Sequence, residues 1–185
     1  MAIIEWRVTP MNELLIWVDL FDREIGCGEK LETHVKEQLH RAFSVFIIHD
    51  GKMFLQRRAL DKYHSGGLWA NACCSHPRHG ETFDASVQTR LEVELGIPQN
   101  TCQPQELFSF VYYSKYEGLS EYEYDHVLLA DYHGPITLNP EEIMDTRWVS
   151  FAELKAELET SPSNFSTWFL IAAPRVLAML EENAE

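Results

Sequence analysis

Positive charge is scarce in this chain. Its 185 residues carry 15 Lys and Arg against 29 Asp and Glu, a formal net charge of −14. The field of such a molecule repels polyanions, which excludes nucleic acid and an anionic membrane surface as its main partners. An anionic ligand then requires a local basic pocket, so the few clustered cations, Arg57, Arg58 and Lys62, become informative. Long apolar runs are missing as well. Glu5, Arg7, Glu13 and Asp19 interrupt every hydrophobic stretch near the start, so neither a signal peptide nor a membrane span is expected, and a cytoplasmic location is. Cysteine is limited to Cys27, Cys73, Cys74 and Cys102. Four irregularly placed thiols without a C-x2-C pair make neither a disulfide scaffold nor a structural zinc site, and reduced thiols are expected.

Apolar residues make up 45% of the chain and aromatics 12%, enough for one compact domain over residues 1–185 with a substantial core. Ala42 to Ile48 is rich in β-branched and aromatic residues, Asp50-Gly51 is a turn signal, and Met53 to Gln56 resumes the apolar run. The three together predict a hairpin that carries Arg57 and Arg58 to a sheet edge. Phe83, Val87, Leu91 and Leu95 recur every fourth residue and Gly96 follows, the pattern of an amphipathic helix with a glycine stop. Phe108 to Tyr113 and Glu121 to Tyr132 predict strands, and Ser150-x-x-Glu153 is a capping box opening a short helix. Thr160 to Asn164 reads as a loop. A last helix is expected from Phe165 to Leu180, kinked or broken at Pro174. With no repeat or long linker, this is an α+β chain, a mixed sheet flanked by helices in an α/β/α sandwich.

Potential metal ligands are dense: His34, His40, His76, Glu121 and Glu123. On a strand Glu121 and Glu123 point to one side, and two adjacent carboxylates repel unless a cation or proton lies between them. The bland alternative is that Glu121, Glu123 and Asp125 form the solvated face of an edge strand. Asn71-Ala72-Cys73-Cys74-Ser75-His76-Pro77 places Cys74 two residues from His76, so a cation bound at His76 would help lower the thiol's pKa and poise it for proton transfer. The plain alternative is a pair of small buried residues. Arg90 and Glu94 lie four apart on the predicted helix, where they would at least form an ion pair.

That helix resembles a degenerate Nudix signature. Glu81, Glu94 and Gly96-Ile97 fall at the first glutamate, the last glutamate and the glycine-plus-aliphatic ending, while Thr89-Arg90 replaces Arg-Glu and Val93 replaces a second glutamate. Taken in order, Lys30, His34, His40-Arg41-Ala42-Phe43-Ser44, Gln56-Arg57-Arg58, Asn71 to Pro77, Glu92 to Ile97, Glu121-Tyr122-Glu123 and Trp168-Phe169 resemble the type 1 isopentenyl-diphosphate isomerases, over residues 28 to 180. The resemblance implies a Nudix-like fold and interconversion of isopentenyl and dimethylallyl diphosphate, through protonation to a tertiary carbocation and deprotonation. It implies Mn2+ (or Zn2+) held by His34, His40, His76, Glu121 and Glu123, and Mg2+ held with the substrate diphosphate by Glu94. Lys30, Arg58, Lys62 and Arg90 would gather that diphosphate. Cys74 and Glu123 would be the two acid/base groups, Tyr112 would assist Glu123, and Trp168 would face the cation, with Trp69 a second candidate for which core packing is the favoured reading.

The chain departs from the family in three places. Gly66-Gly67 stands where Pro-Gly is usual, the interval from His34 to His40 is one residue shorter than in bacterial members, and the Lys115 to Ser120 loop is short, which leaves Tyr112 and Tyr113 both open as the assisting tyrosine. The competing readings are a Nudix hydrolase, disfavoured by the missing helix glutamates, and a catalytically silent scaffold, disfavoured by retention of Cys74 and every proposed ligand. The partner implied is a small prenyl diphosphate, acted on by a monomer or a homodimer.

Overall fold

The computed structural model describes residues 14–62, 64–116 and 118–182. The residues before Leu14 that bear on the leader expectation lie outside these. Strands β1 (Leu14–Val18) and β2 (Glu24–Glu29) pair antiparallel and lead into a six-residue helix, α1 (Lys30–Val35). The expected hairpin follows as β3 (His40–His49) and β4 (Lys52–Arg58), with Ile47 opposite Phe54. Asp50 and Gly51 turn it with φ of 47° and 69°, the doubly left-handed turn that suits the twist of the two strands. Two short strands, β5 (Trp69–Ala70) and β6 (Cys73–Ser75), precede α2 (Phe83–Leu95). A long hairpin, β7 (Gln105–Tyr116) and β8 (Leu119–Asp131), is followed by β9 (Ile143–Ser150), α3 (Phe151–Thr160), a single 3-10 turn at Pro162–Asn164 and α4 (Thr167–Glu182).

All nine strands join one mixed sheet in which β3 and β8 run parallel from His40↔Glu123 to Ile48↔Asp131. Their alternation divides the core. Phe43, Val45, Ile47, Leu128 and Ala130 meet Val87, Leu91 and Leu95 of α2 on one side; Phe46, Leu55 and Val127 meet Phe169, Ala172, Ala173 and Val176 of α4 on the other. This is the expected sandwich. Thr82 caps α2 by accepting from Ala85 N, Gly96 ends it at φ 60°, and the Ser150/Glu153 capping box opens α3.

Two expectations are corrected. Arg57 and Arg58 are not at an edge, because β9 pairs with β4 along its length and β5 pairs on the other side at Gln56 and Arg57. Pro174 does not break the last helix: α4 is continuous through it, and Pro174 is solvent-exposed, where water can hydrate the carbonyl its missing N–H leaves unbonded.

Candidate active site

The parallel register sets the site. Residues paired across β3, β6, β7 and β8 share a face, and the pairs His40↔Glu123, Ser44↔Cys74 and Tyr112↔Glu123 bring these side chains together with Glu121 and Asp125 on the α4 side. β8 lies between β3 and β7, and Glu121, Glu123 and Asp125 are all buried. The solvated edge-strand alternative is therefore wrong. Cys73 faces the α2 core with no exposure, while Cys74, one residue on, faces the site.

His34, His40, His76 and Glu123 converge, their potential ligand atoms all within 4.8 Å of one another. The ring nitrogens are assigned by their outer partners. Nδ1 of His34 lies 2.6 Å from the Lys30 carbonyl and Nδ1 of His40 lies 2.8 Å from that of Gln38, so each Nδ1 carries the hydrogen and Nε2 keeps its lone pair. His40 Nε2 is buried and makes no hydrogen bond. A buried orphan nitrogen among two further imidazoles and a carboxylate is what a divalent-cation site of borderline softness requires. Burial pushes His76 down to about 3 against the pull of Glu123, so this imidazole stays neutral and able to ligate. Glu123 accepts from His76 Nε2 at 2.7 Å; although burial works against it, the imidazoles of His76 and His40 hold its carboxyl well below the usual range.

Glu121, expected as a fifth ligand, lies outside that convergent group. Its Oε1 is 2.5 Å from His64 Nε2, and its Oε2 is 2.8 Å from the Tyr112 hydroxyl, which also lies 2.7 Å from Glu123 Oε2. One phenol has a single hydrogen for two carboxylates, so Tyr112 is shared between them. Of the two tyrosines left open, Tyr112 is buried between the glutamates, whereas Tyr113 is 48% exposed and packs on Tyr122.

Beside this cluster Cys74 donates to Asn71 Oδ1 at 3.0 Å, and Trp168 Nε1 approaches both Cys74 Sγ at 3.0 Å and Asn71 Oδ1 at 3.1 Å. Burial, with Asp125 adding to it, pushes Cys74 well above the ordinary thiol value, so it keeps its proton. Burial and Glu123 also push Asp125 well up, and Ser44 Oγ donates to its Oδ2 at 2.8 Å. The Arg58 guanidinium stands over the Trp168 ring, 5.2 Å from its centre. Trp69 does not reach the site; it stacks under Arg147 at 4.5 Å as a packing residue.

A cavity of 300 Å³ joins these groups and is lined by Cys74, Glu123, Tyr112, Trp168 and the expected cations Lys30, Arg58, Lys62 and Arg90. Glu94 is buried behind Arg90, paired to it at 2.7 Å, and does not line the cavity. Among the lining residues, Glu142 and His64 had no sequence signal. Glu142 bridges Lys62 and Arg90, and its own carboxyl is held low: burial opposes this, but the hydrogen bond from Lys62 and the charge of Arg90 outweigh it. His64 lies in the loop between β4 and β5.

A curled sheet between helices, with α2 presenting Arg90 to the pocket and Glu94 paired behind it, defines a Nudix-type domain, and residues 38–169 match the family described as NUDIX domain. Solved structures agree in fold: DR0079 from Deinococcus radiodurans superposes with a TM-score of 0.67 at 18% identity, covering 80% of this chain and 90% of that one. A MutT protein from Methanosarcina mazei gives 0.60 at 15%, covering 80% and 96%. Within that class the nearer sequences are of one kind. Isopentenyl-diphosphate Delta-isomerase 2 of Aromatoleum aromaticum is 40% identical over 91% of this chain and 88% of its own length, and isopentenyl-diphosphate Delta-isomerase 1 of the same organism is 41% identical over 94% and 97%. The enzyme of Serratia proteamaculans is 41% identical over 86% and 89%. The chain belongs to the isopentenyl-diphosphate Delta-isomerase family of Nudix proteins.

Proposed function

We propose that the protein interconverts isopentenyl and dimethylallyl diphosphate, with Cys74 and Glu123 as its two proton-transfer groups. The observation that supports the assignment is geometric: Cys74 and Glu123 line one cavity from strands on either side of β3, the thiol donating to Asn71 and the carboxylate accepting from Tyr112. Isomerisation needs one group to deliver a proton to the double bond and another to remove one from the far side. Cys74 Sγ holds the proton to be given, on β6, and Glu123 accepts on β8, with β3 between them. Tyr112, hydrogen-bonded to Glu123, holds that carboxylate in place. Trp168 offers an aromatic face beside Cys74 to the tertiary cation, an attraction that grows in a dry pocket.

Lys30, Arg58, Lys62 and Arg90 bind the diphosphate and provide the local positive charge an acidic protein needs. Glu142 holds Lys62 and Arg90 at the rim until the anion arrives. His34, His40, His76 and Glu123, with Glu121 beside them, would hold Mn2+ or Zn2+; Glu94 would hold the Mg2+ that accompanies the diphosphate once Arg90 turns to the anion. When bound, the cation supplies positive charge that offsets the buried carboxylates. Four free thiols suit the reducing cytoplasm.

The test is incubation of the metal-loaded protein with isopentenyl diphosphate in deuterated water, followed by NMR. Dimethylallyl diphosphate carrying solvent deuterium supports the assignment. Released phosphate would instead make the chain a hydrolase, and unchanged substrate a silent scaffold.

A further inference from the structure

The side chains of His64 and Glu121 are only 5% and 4% exposed, and the 2.5 Å contact between them ends a hydrogen-bonded run from His64 through Glu121, Tyr112 and Glu123 to His76. The His64 ring is edge-on to Trp168 at 5.8 Å and tilted against Tyr116 at 5.0 Å, and its carbonyl accepts from Arg58 Nη2 at 3.5 Å. Packed on two aromatic rings, the imidazole has little freedom to turn its Nε2 elsewhere.

This fixes Glu121 at both ends. Oε1 meets His64 and Oε2 meets Tyr112, so the long glutamate side chain is ordered before any ligand arrives, and its rotamer entropy is already spent. Each carboxylate oxygen has two lone pairs and can accept a hydrogen bond while keeping the other pair for a cation. Because Tyr112 is shared with Glu123, the position of Glu121 also sets where Glu123 lies.

We propose that His64 is a positioning residue of the metal centre: its Nε2–H anchors Glu121 beside Glu123 and so sets the carboxylate arrangement a divalent cation meets. This rests on the reading above of the histidine and glutamate cluster as metal-binding. It does not require His64 to touch the cation.

The geometry distinguishes a donor from a ring that merely fills space. Phe keeps the contacts to Trp168 and Tyr116 and has no donor; Gln carries an amide N–H at about the reach of imidazole Nε2; Asn is too short to reach Glu121. Metal-stripped full-length protein would be titrated with Mn2+ by equilibrium dialysis, with folding checked by circular dichroism. His64→Phe should bind Mn2+ about 10–100-fold more weakly than wild type, the range typical for loss of an outer partner, and His64→Gln should remain near wild type. Wild-type affinity in His64→Phe overturns the proposal. If His64→Phe does not fold, Gln against Asn decides: equal Mn2+ affinity in those two overturns it, and tighter binding by Gln upholds it. Failure of the wild type to bind Mn2+, or undiminished binding by His76→Ala, would refute the metal centre itself and the role of His64 with it.

Discussion

Burial pushes the Cys74 thiol up and the neighbouring imidazoles hold the Glu123 carboxyl down, so the proton affinity of each depends on its surroundings rather than on residue type. Removing either proton-transfer atom should abolish turnover without unfolding the chain: Cys74→Ala and Glu123→Gln are expected to give no isomerisation in the deuterium assay with unchanged circular dichroism, and near-normal rates in either would refute the assignment. The buried imidazole has a stability signature. His76 is pushed down to about 3 in the fold from 6.5 in its absence, so between those values the unfolded chain binds a proton that the folded chain does not. Stability is then complete above the upper value and lost as pH falls through the window; Glu123, also depressed, adds loss of the same sign at lower pH. The metal-free protein should lose Tm on going from about pH 7.5 to about pH 5, and His76→Asn should flatten that slope in thermal scans. Equal slopes in the two proteins would contradict the assignment of this proton to His76.

The elements differ in how legible they were. The periodicity of Val87, Leu91 and Leu95 and the cap at Gly96 made α2 legible because a thirteen-residue helix repeats its buried apolar positions, and Asp50-Gly51 made the β3–β4 hairpin legible because that dipeptide favours the doubly left-handed turn found there. β2, Glu-Ile-Gly-Cys-Gly-Glu, has too little β-branched content to read as a strand, and α1 is too short to show a period, although it carries His34. The mobility of meaning at Glu121-x-Glu123 had a different source. Spacing put both on one face, but whether that face met solvent depended on the β3–β8 pairing, which is non-local. Glu142 and His64 carry no local pattern and became visible only through their partners. At this scale Gly96 is the sharpest test: at φ 60°, with a Cβ that would lie 2.9 Å from Thr137, Gly96→Ala breaks both the cap and the contact. We expect a loss of about 1–2 kcal/mol in urea unfolding, the left-handed penalty for a residue with a side chain. Stability unchanged from wild type would show that the helix end relaxes freely.

On the scale of the whole molecule, a net charge of −14 surrounds a cavity whose rim bears Lys30, Arg58, Lys62 and Arg90. The overall charge repels anions generally, while the cations at the rim give the cavity a local positive field. No helix among the described residues is long and apolar enough to cross a membrane. A cation held as proposed by His34, His40, His76 and Glu123 would link ligand to fold, since these residues come from α1, β3, β8 and the segment after β6. Mn2+ at a hundredfold excess over its Kd should stabilise the folded state by about 2.7 kcal/mol, roughly 5–10 °C in Tm for a chain of this size. A chelator should reverse the shift, and His76→Ala should not show it; an equal shift in that variant would place the binding elsewhere.

The parallel ladder from His40 to Glu123 also fixes when the site can exist. Those partners are separated by the whole β4 to β7 excursion, so the chain closes a very long loop before His40 meets Glu123. A ribosome that has released β3 has made two of the cluster's histidines, His34 and His40, but no site; the four donors assemble only after β8 is threaded beside β3. Cation uptake during refolding therefore marks arrival of the finished topology, and in stopped-flow experiments it should trail the recovery of helical signal rather than accompany it.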